Sequence, residues 1–250
     1  MTETAIQEPT EINDQLILVV GESTMGKSFS LKNIRNQERW MYLGTEAGKR
    51  LPFRNNFDRY TITEPYQVHE AFNYAIGDGK DSVDGIVLDS LTFLMDMFES
   101  QYVFGAADGR AAWGAYQQFF KQLMNLVAIF GKPVVIIAHT RADEDKATGQ
   151  IGRAVPIKGA LRSNGVEAYF TTVVAAKRVT LKELEKYSSG LLTITEDDQE
   201  LGFKHVFQTR LTKGTTGDRI RAPFGMFSRE ETYVDNDVQA LLDRLNEFYK

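Results

Sequence analysis

The stretch "QLILVVGESTMGKSFSL" (15–31) constrains this chain more than any other. Leu16 to Val20 is an unbroken aliphatic run, the pattern of a strand buried on both faces. It breaks at Gly21, and "GESTMGKS" (21–28) fits G-x-x-x-x-G-K-[ST]. "MGKSFSLKNIR" (25–35) then reads as a helix. Strand, glycine-rich turn and helix start form the context in which this spacing holds a phosphate chain. Gly21 and Gly26 let the backbone through Glu22, Ser23, Thr24 and Met25 curl, so that N–H groups converge on phosphate oxygens. Lys27 is expected to reach the β- and γ-phosphates and Ser28 to ligate Mg²⁺, which makes ATP and Mg²⁺ the expected cofactors.

The segments that follow keep the same grammar. Apolar strands are expected at 39–46, 85–90, 133–139 and 171–179, with a short one at 59–63. Helical spacing separates them at 66–76, 90–103 and 111–130. Strands alternating with helices predict an α/β fold with a mainly parallel central sheet flanked by helices. After residue 180 the pattern changes. "LKELEKY" reads as a short helix, "LLTITEDDQELGFKHVFQTRL" (191–211) as a hairpin turning at "EDDQ", "DRIRAPF" (218–224) as a strand, and 236–250 as a closing helix. Antiparallel strands are therefore expected at the C-terminal edge. No repeat or linker interrupts the chain, which predicts one domain over 15–250 behind a flexible acidic lead-in, 1–14.

Composition excludes several classes. Cysteine is absent, so disulfides and zinc–thiolate sites are ruled out. No apolar run reaches the roughly 18–20 residues of a membrane span. The start, "MTETAIQEPTEIND", lacks the basic and apolar regions of a signal peptide, and a cytoplasmic location is expected. Net charge is −5, but Glu3, Glu8, Glu11 and Asp14 leave −1 for the remainder. The acidic total therefore does not exclude a nucleic-acid partner; it requires any basic surface to be local.

Two carboxylates stand where this chemistry needs them. Asp89 ends the apolar run "GIVLD", where it either holds the Mg²⁺ water shell or caps the next helix. Glu46 falls just past the second strand, and sites in open α/β sheets lie at strand carboxyl ends. It is either the carboxylate that polarises the attacking water or an exposed loop residue. His69 and His205 lack metal-ligand companions and read as structural.

The succession of phosphate loop, Glu46, "IVLDS" and a strand ending in a polar residue resembles the RecA-type ATPase core over roughly residues 15–225. The short chain is most similar to the core-only RecA-like ATPases of bacteriophages, associated with recombination and single-strand annealing. The resemblance implies that Glu46 is catalytic and that Phe53, seven residues on, stacks on adenine. It places Leu88, Asp89 and Ser90 on the Walker B segment. His139 holds the position of the γ-phosphate sensor, where the family usually carries glutamine. An imidazole N–H can donate to a phosphate oxygen just as the amide does. The resemblance also implies self-association into a ring or filament with ATP between subunits. "LTKGTTGD" matches the segment that inserts a cation into a neighbour's site, with Lys213 in the lysine position. Thr215 stands where an arginine is often found; Arg210, Arg219 and Arg221 are the alternatives, and a solvated hairpin lysine is the plainer reading of Lys213.

In 140–157, the acids Asp143, Glu144 and Asp145 precede Lys146, while Lys146 to Arg162 contains four cations and no anion. A flexible cationic segment suits a nucleic-acid backbone, and in the family the corresponding loop lines the DNA channel. Arg141, Lys146, Arg153, Lys158 and Arg162 are thus candidate contacts to single-stranded DNA, against the alternative of a mobile loop of mixed charge. "FGAADGRAAW" (104–113) is a weaker second candidate, with Arg110, Trp113 and Tyr102. The expected activity is a DNA-stimulated, Mg²⁺-dependent ATPase promoting recombination or annealing, with a single-strand-binding protein as a further partner. A ring helicase or motor, and an ATP-gated module that binds a protein without DNA, are the alternatives.

Overall fold

The computed structural model describes residues 12–46, 48–144 and 151–250. Glu3, Glu8, Glu11, Lys146, Gly149 and Asp145 lie outside the described residues. The strands are β1 (Leu16–Gly21), β2 (Trp40–Gly44), β3 (Asp58–Thr61), β4 (Gly85–Asp89), β5 (Val134–His139), β6 (Arg141–Glu144), β7 (Ile151–Ala154), β8 (Thr172–Thr180), β9 (Phe203–Gln208) and β10 (Tyr233–Asp235). The helices are α1 (Gln67–Ile76), α2 (Leu91–Phe98), α3 (Gly109–Phe130), α4 (Leu161–Asn164), α5 (Leu181–Leu184), α6 (Glu196–Leu201) and α7 (Val238–Phe248).

Eight strands form one sheet in the order β10-β9-β8-β1-β5-β4-β2-β3. From β8 to β3 every pairing is parallel; β9 runs against both β8 and β10. The expected fold class is therefore observed, antiparallel edge included. Side chains alternate across the central strands. Leu18, Val20, Leu88, Ile136 and Ala138 pack towards Phe72, Phe119 and Leu123 of α1 and α3. Ile17, Val19, Val87, Val135 and Ile137 face the other way, towards Leu241, Leu242 and Leu245 of α7. With both faces covered, these strands read as continuous apolar runs, which is why the sequence located them well. α3 is bounded by local chemistry: the Asp108 side chain accepts from the Arg110 and Ala111 amides, and Gly131 ends the helix at φ 62°.

Several expectations fail for identifiable reasons. The helix expected through Arg35 is a single 3₁₀ turn, Ser28–Leu31. Asn36 then sits in the left-handed region at φ 52°. Asn33 and Arg35 turn instead towards α7, where Asn33 Nδ2 donates to Asp237 Oδ2 at 2.6 Å and the Arg35 amide to Gln239 Oε1 at 3.0 Å. The hairpin expected at 191–211 is absent: "EDDQ" opens α6. Thr195 and Asp198 form a reciprocal capping box, and three acids occupy the first turn, where the helix dipole favours them. The strand expected at 218–224 amounts to one isolated bridge, Val173 to Arg221, and Pro223 cannot donate to a ladder. The short β10 pairs with β9 on the other side. The lead-in is anchored at its end, because Asn13 Nδ2 donates to Val127 O and Lys132 O at 3.1 and 2.8 Å.

The segment after β5 is a two-stranded hairpin, β6 paired antiparallel with β7, and not a plain loop. Gly152 is there for close approach: a Cβ on it would lie 1.9 Å from the Gly217 carbonyl oxygen. The hairpin is thus docked on the 212–220 turn region.

Candidate nucleotide site

β5 lies between β1 and β4, and the register sets Gly21 beside His139 while Asp89 pairs with Ile137. The ends of three neighbouring strands therefore deliver the phosphate loop, His139 and Asp89 to one place. Glu46 joins them through Thr45, whose amide donates to Asp89 O at 2.8 Å. Thr45 Oγ1 donates to Ser90 O at 2.9 Å and accepts from the Ser90 amide at 2.8 Å. A solvent-open cleft of about 440 Å³ lies there, bordered by Ser23, Thr24, Gly26 and Lys27 of the loop and by Glu46, Asp89 and His139.

Lys27 is buried at the mouth of the loop. Its ammonium donates to Gly21 O at 2.8 Å and Glu22 O at 2.7 Å. Burial lowers its pKa to about 8, against the opposing pull of Asp89. Ser28 Oγ donates to Asp89 Oδ2 at 2.7 Å, and the Tyr42 hydroxyl donates to the same oxygen at 2.9 Å. Burial, then the Asp89 charge, hold the Tyr42 phenol in its protonated form.

Glu46 is divided between two environments. Oε2 accepts from Lys49 Nζ at 2.5 Å, whereas Oε1 is buried with no hydrogen-bond partner among the described residues. His139 Nε2 lies 3.5 Å from that oxygen, a contact too long for a well-formed hydrogen bond. Nδ1 of the same ring lies 3.5 Å from Lys27 Nζ. The ring is held by its backbone amide, which donates to Thr92 Oγ1 at 2.9 Å, and by an edge-on contact with Phe93 at 5.5 Å. Burial, followed by the Lys27 charge, pushes the His139 pKa below its usual value, so the imidazole is neutral near pH 7. An ammonium beside Nδ1 and a carboxylate beside Nε2 favour the tautomer protonated at Nε2.

The other candidates are distributed around this centre. Phe53 packs edge-to-face on Phe29 at 6.3 Å, and it is Phe29 and Pro52 that border the cleft itself. The Glu22 side chain turns outward and accepts from Arg153 Nε at 2.8 Å. Lys158 Nζ donates to both oxygens of buried Glu99 at 2.8 and 2.7 Å. Arg141, Lys158, Arg162 and Arg219 border a separate hollow beneath the hairpin. Lys213 is exposed on the 212–215 turn and is not brought to Lys27 of its own chain. Its alternatives are engaged: Arg210 Nη1 donates to Phe227 O at 2.7 Å, Arg219 pairs with Glu167 at 3.1 Å, and Arg221 Nη1 reaches Phe170 O at 3.5 Å. In the 104–113 segment, Tyr102 donates to Glu64 at 2.6 Å and Trp113 packs on the core.

Sequence reasoning missed the buttress behind the loop. Asn236 Nδ2 donates to Gly26 O at 2.9 Å, and Gly26 sits at φ 85°, where a Cβ would lie 2.6 Å from that same nitrogen. His205, on β9, borders the cleft and is hydrogen-bonded to the Thr24 backbone. These residues are about 180 to 210 positions from the loop they brace, and no local pattern marks them.

The residues fit a nucleotide with its divalent ion. The backbone of a glycine-rich loop, a lysine, a hydroxyl beside a carboxylate and an unpartnered carboxylate oxygen are groups of the kind that a triphosphate, Mg²⁺ and a water require. Among the described residues no three His, Cys, Asp or Glu side chains could hold a metal by themselves.

No curated protein matches the chain. Among solved structures, the crystal structure of the RadB recombinase aligns with 68% of this chain and 77% of its own, at 13% identity and a TM-score of 0.43. Among the described residues no helix is long and apolar enough to cross a membrane. The AAA domain family matches residues 13–215, the span that holds the phosphate loop, Glu46, Asp89 and His139, and the chain belongs to that family.

Proposed function

We propose that the chain binds ATP with Mg²⁺ and hydrolyses it, and that it self-associates on single-stranded DNA to promote recombination or strand annealing, as in the small RecA-like ATPases of bacteriophages. The observation that carries the hydrolytic part is Glu46 Oε1, buried without a hydrogen-bond partner in the same cleft as Lys27 and the Ser28–Asp89 pair. Lys27 and the loop amides hold the phosphates, and Ser28 and Asp89 hold the ion. Bound Mg²⁺ supplies charge neutralisation on the phosphate oxygens. Glu46 orients and polarises the attacking water through Oε1, while Lys49 fixes the carboxylate through Oε2. His139, between Lys27 and Glu46, donates from Nε2 and reads the state of the γ-position. Lys213, exposed on its turn, serves the site of a second copy.

The DNA part rests on the hairpin that follows His139, which carries Arg141, and on Lys158 and Arg162, which border the same hollow. Arg153 and Lys158 are paired with Glu22 and Glu99, and this favours a second reading, an ATP-gated module whose partner is a protein. Measuring ATP hydrolysis and binding to a single-stranded oligonucleotide over a range of salt separates the two. Binding that weakens steeply with salt, together with DNA-stimulated hydrolysis, supports the first. Hydrolysis with no oligonucleotide binding at low salt supports the second.

A further inference from the structure

Glu46 borders more than the nucleotide cleft. Beside it lies a second hollow of about 330 Å³ at the carboxyl ends of β2 and β3. Glu46, Lys49, Arg50 and Asp89 border both spaces, so the two are adjacent and share these side chains as a common wall. The inner wall is Tyr42, Asp89 and Glu46; the outer wall is cationic, formed by Lys49, Arg50 and Arg59.

Each cation is set differently. Lys49 is tied to Glu46, and its carbonyl accepts from Arg59 Nη2 at 3.1 Å. The Arg59 guanidinium lies 5.3 Å from the centre of the Tyr42 ring, which orients the fork without neutralising it. Neither Arg50 nor Arg59 pairs with a carboxylate among the described residues. Three cations therefore line a hollow whose acidic residues, among the described residues, are Glu46 and Asp89. The Asp89 oxygen Oδ2 is already occupied by Ser28 and Tyr42.

We propose that this basic bay receives the inorganic phosphate released by hydrolysis. The inference rests on the ATPase reading. In that reaction the oxygen of water forms a bond to the γ-phosphorus as the bond from phosphorus to the bridging oxygen of ADP breaks. A proton leaves by way of Glu46 for solvent. The attacking water lies on the Glu46 side, so inversion at phosphorus carries the new phosphate away from ADP and towards Glu46. The hollow on that side is the one lined by Lys49, Arg50 and Arg59. A phosphate dianion is the ligand that a guanidinium fork and neighbouring point charges recognise.

The test is a titration of the whole chain with ADP and Mg²⁺, followed by inorganic phosphate, read by calorimetry or phosphorus NMR. Arg59→Ala, outside the nucleotide cleft, should weaken phosphate binding about threefold with ADP affinity unchanged, and adding Arg50→Ala, at a residue that borders both spaces, should bring the loss to about tenfold. Arg59→Lys, which keeps the charge, should recover most of the loss. Both side chains are exposed, and retained ADP affinity in Arg59→Ala, with an unchanged melting temperature in the double variant, shows that the variants are folded. A chain that binds ADP while its phosphate affinity is absent, or indifferent to both arginines, overturns the bay alone. A chain that binds no ADP overturns the nucleotide reading beneath it.

Discussion

Arg153 Nε donates to Glu22 Oε1 at 2.8 Å, joining the β6–β7 hairpin to the second residue of the phosphate loop across 131 positions of sequence. The same arginine is anchored by its amide, which donates to Asp218 Oδ1 at 3.0 Å, and Asp218 also accepts from Lys177 at 2.7 Å. The hairpin, the phosphate loop and the turn region carrying Lys213 therefore share one set of contacts. Glu22 and Arg153 are about half exposed, at 50% and 48%. Their pairing contributes roughly 0.2–1 kcal/mol to stability, enough to bias the hairpin and too little to hold the fold.

Glu22→Ala should release the arginine. Oligonucleotide affinity, measured by fluorescence anisotropy without nucleotide, should rise about two- to fivefold, whereas Arg153→Ala should lower it and flatten its salt dependence. Both variants should melt within a few degrees of the parent. Equal affinities for all three proteins would remove Arg153 from the DNA-binding surface.

Glu46→Gln keeps the shape and removes the charge that polarises water. Hydrolysis should fall by about 10²–10⁴-fold while ATP still binds. The result is read by single-turnover chemical quench alongside a binding titration. Wild-type turnover in the variant would exclude Glu46 as the base.

Lys27 carries a pKa of about 8 in the protein alone. A polyanion placed against its ammonium raises that value, so binding takes up a proton once pH exceeds about 8. Nucleotide affinity should accordingly be flat below pH 8 and decline as pH rises above it, because a growing fraction of Lys27 must be protonated on binding. Calorimetry at pH 8.5 in buffers of different ionisation enthalpy should show net proton uptake. Lys27→Arg, charged throughout this range, should lose the uptake even where affinity is reduced.

Asn236→Ala removes the brace on Gly26 and leaves the Gly26 carbonyl with the Ser30 amide as its remaining donor, at 3.0 Å. The cost should be about 1 kcal/mol, seen as a roughly fivefold loss of ATP affinity with little change in the cleavage rate of bound ATP. An unchanged affinity would show that the loop holds its curve unaided.

The strand, turn and helical start around the candidate phosphate site were readable because the motif is local. Gly21 to Ser28 follow one another, and only a glycine-rich turn between a buried strand and a helical turn accommodates that spacing. Asp89 and Glu46 were readable because each follows an apolar run that must be a strand, and parallel strands deliver their ends to one edge. The errors share a cause as well. "EDDQ" has a turn's composition and also the capping signals of a helix, and the reading as a turn was wrong. The run "DRIRAPF" alternates as a strand would, but Pro223 and the demands on Asp218 and Arg219 leave it one bridge.

The chain by itself determined the class of sheet and the candidate phosphate loop at the end of its first strand, because burial on both faces and loop composition are written in contiguous residues. Which cations remain available was decided only by tertiary structure. Arg153 and Lys158 look alike in sequence to Arg50 and Arg59, yet the first two meet Glu22 and Glu99 and the second two meet no carboxylate among the described residues. Charge is a property of a residue, whereas its neutralisation depends on what the fold brings within about 4 Å.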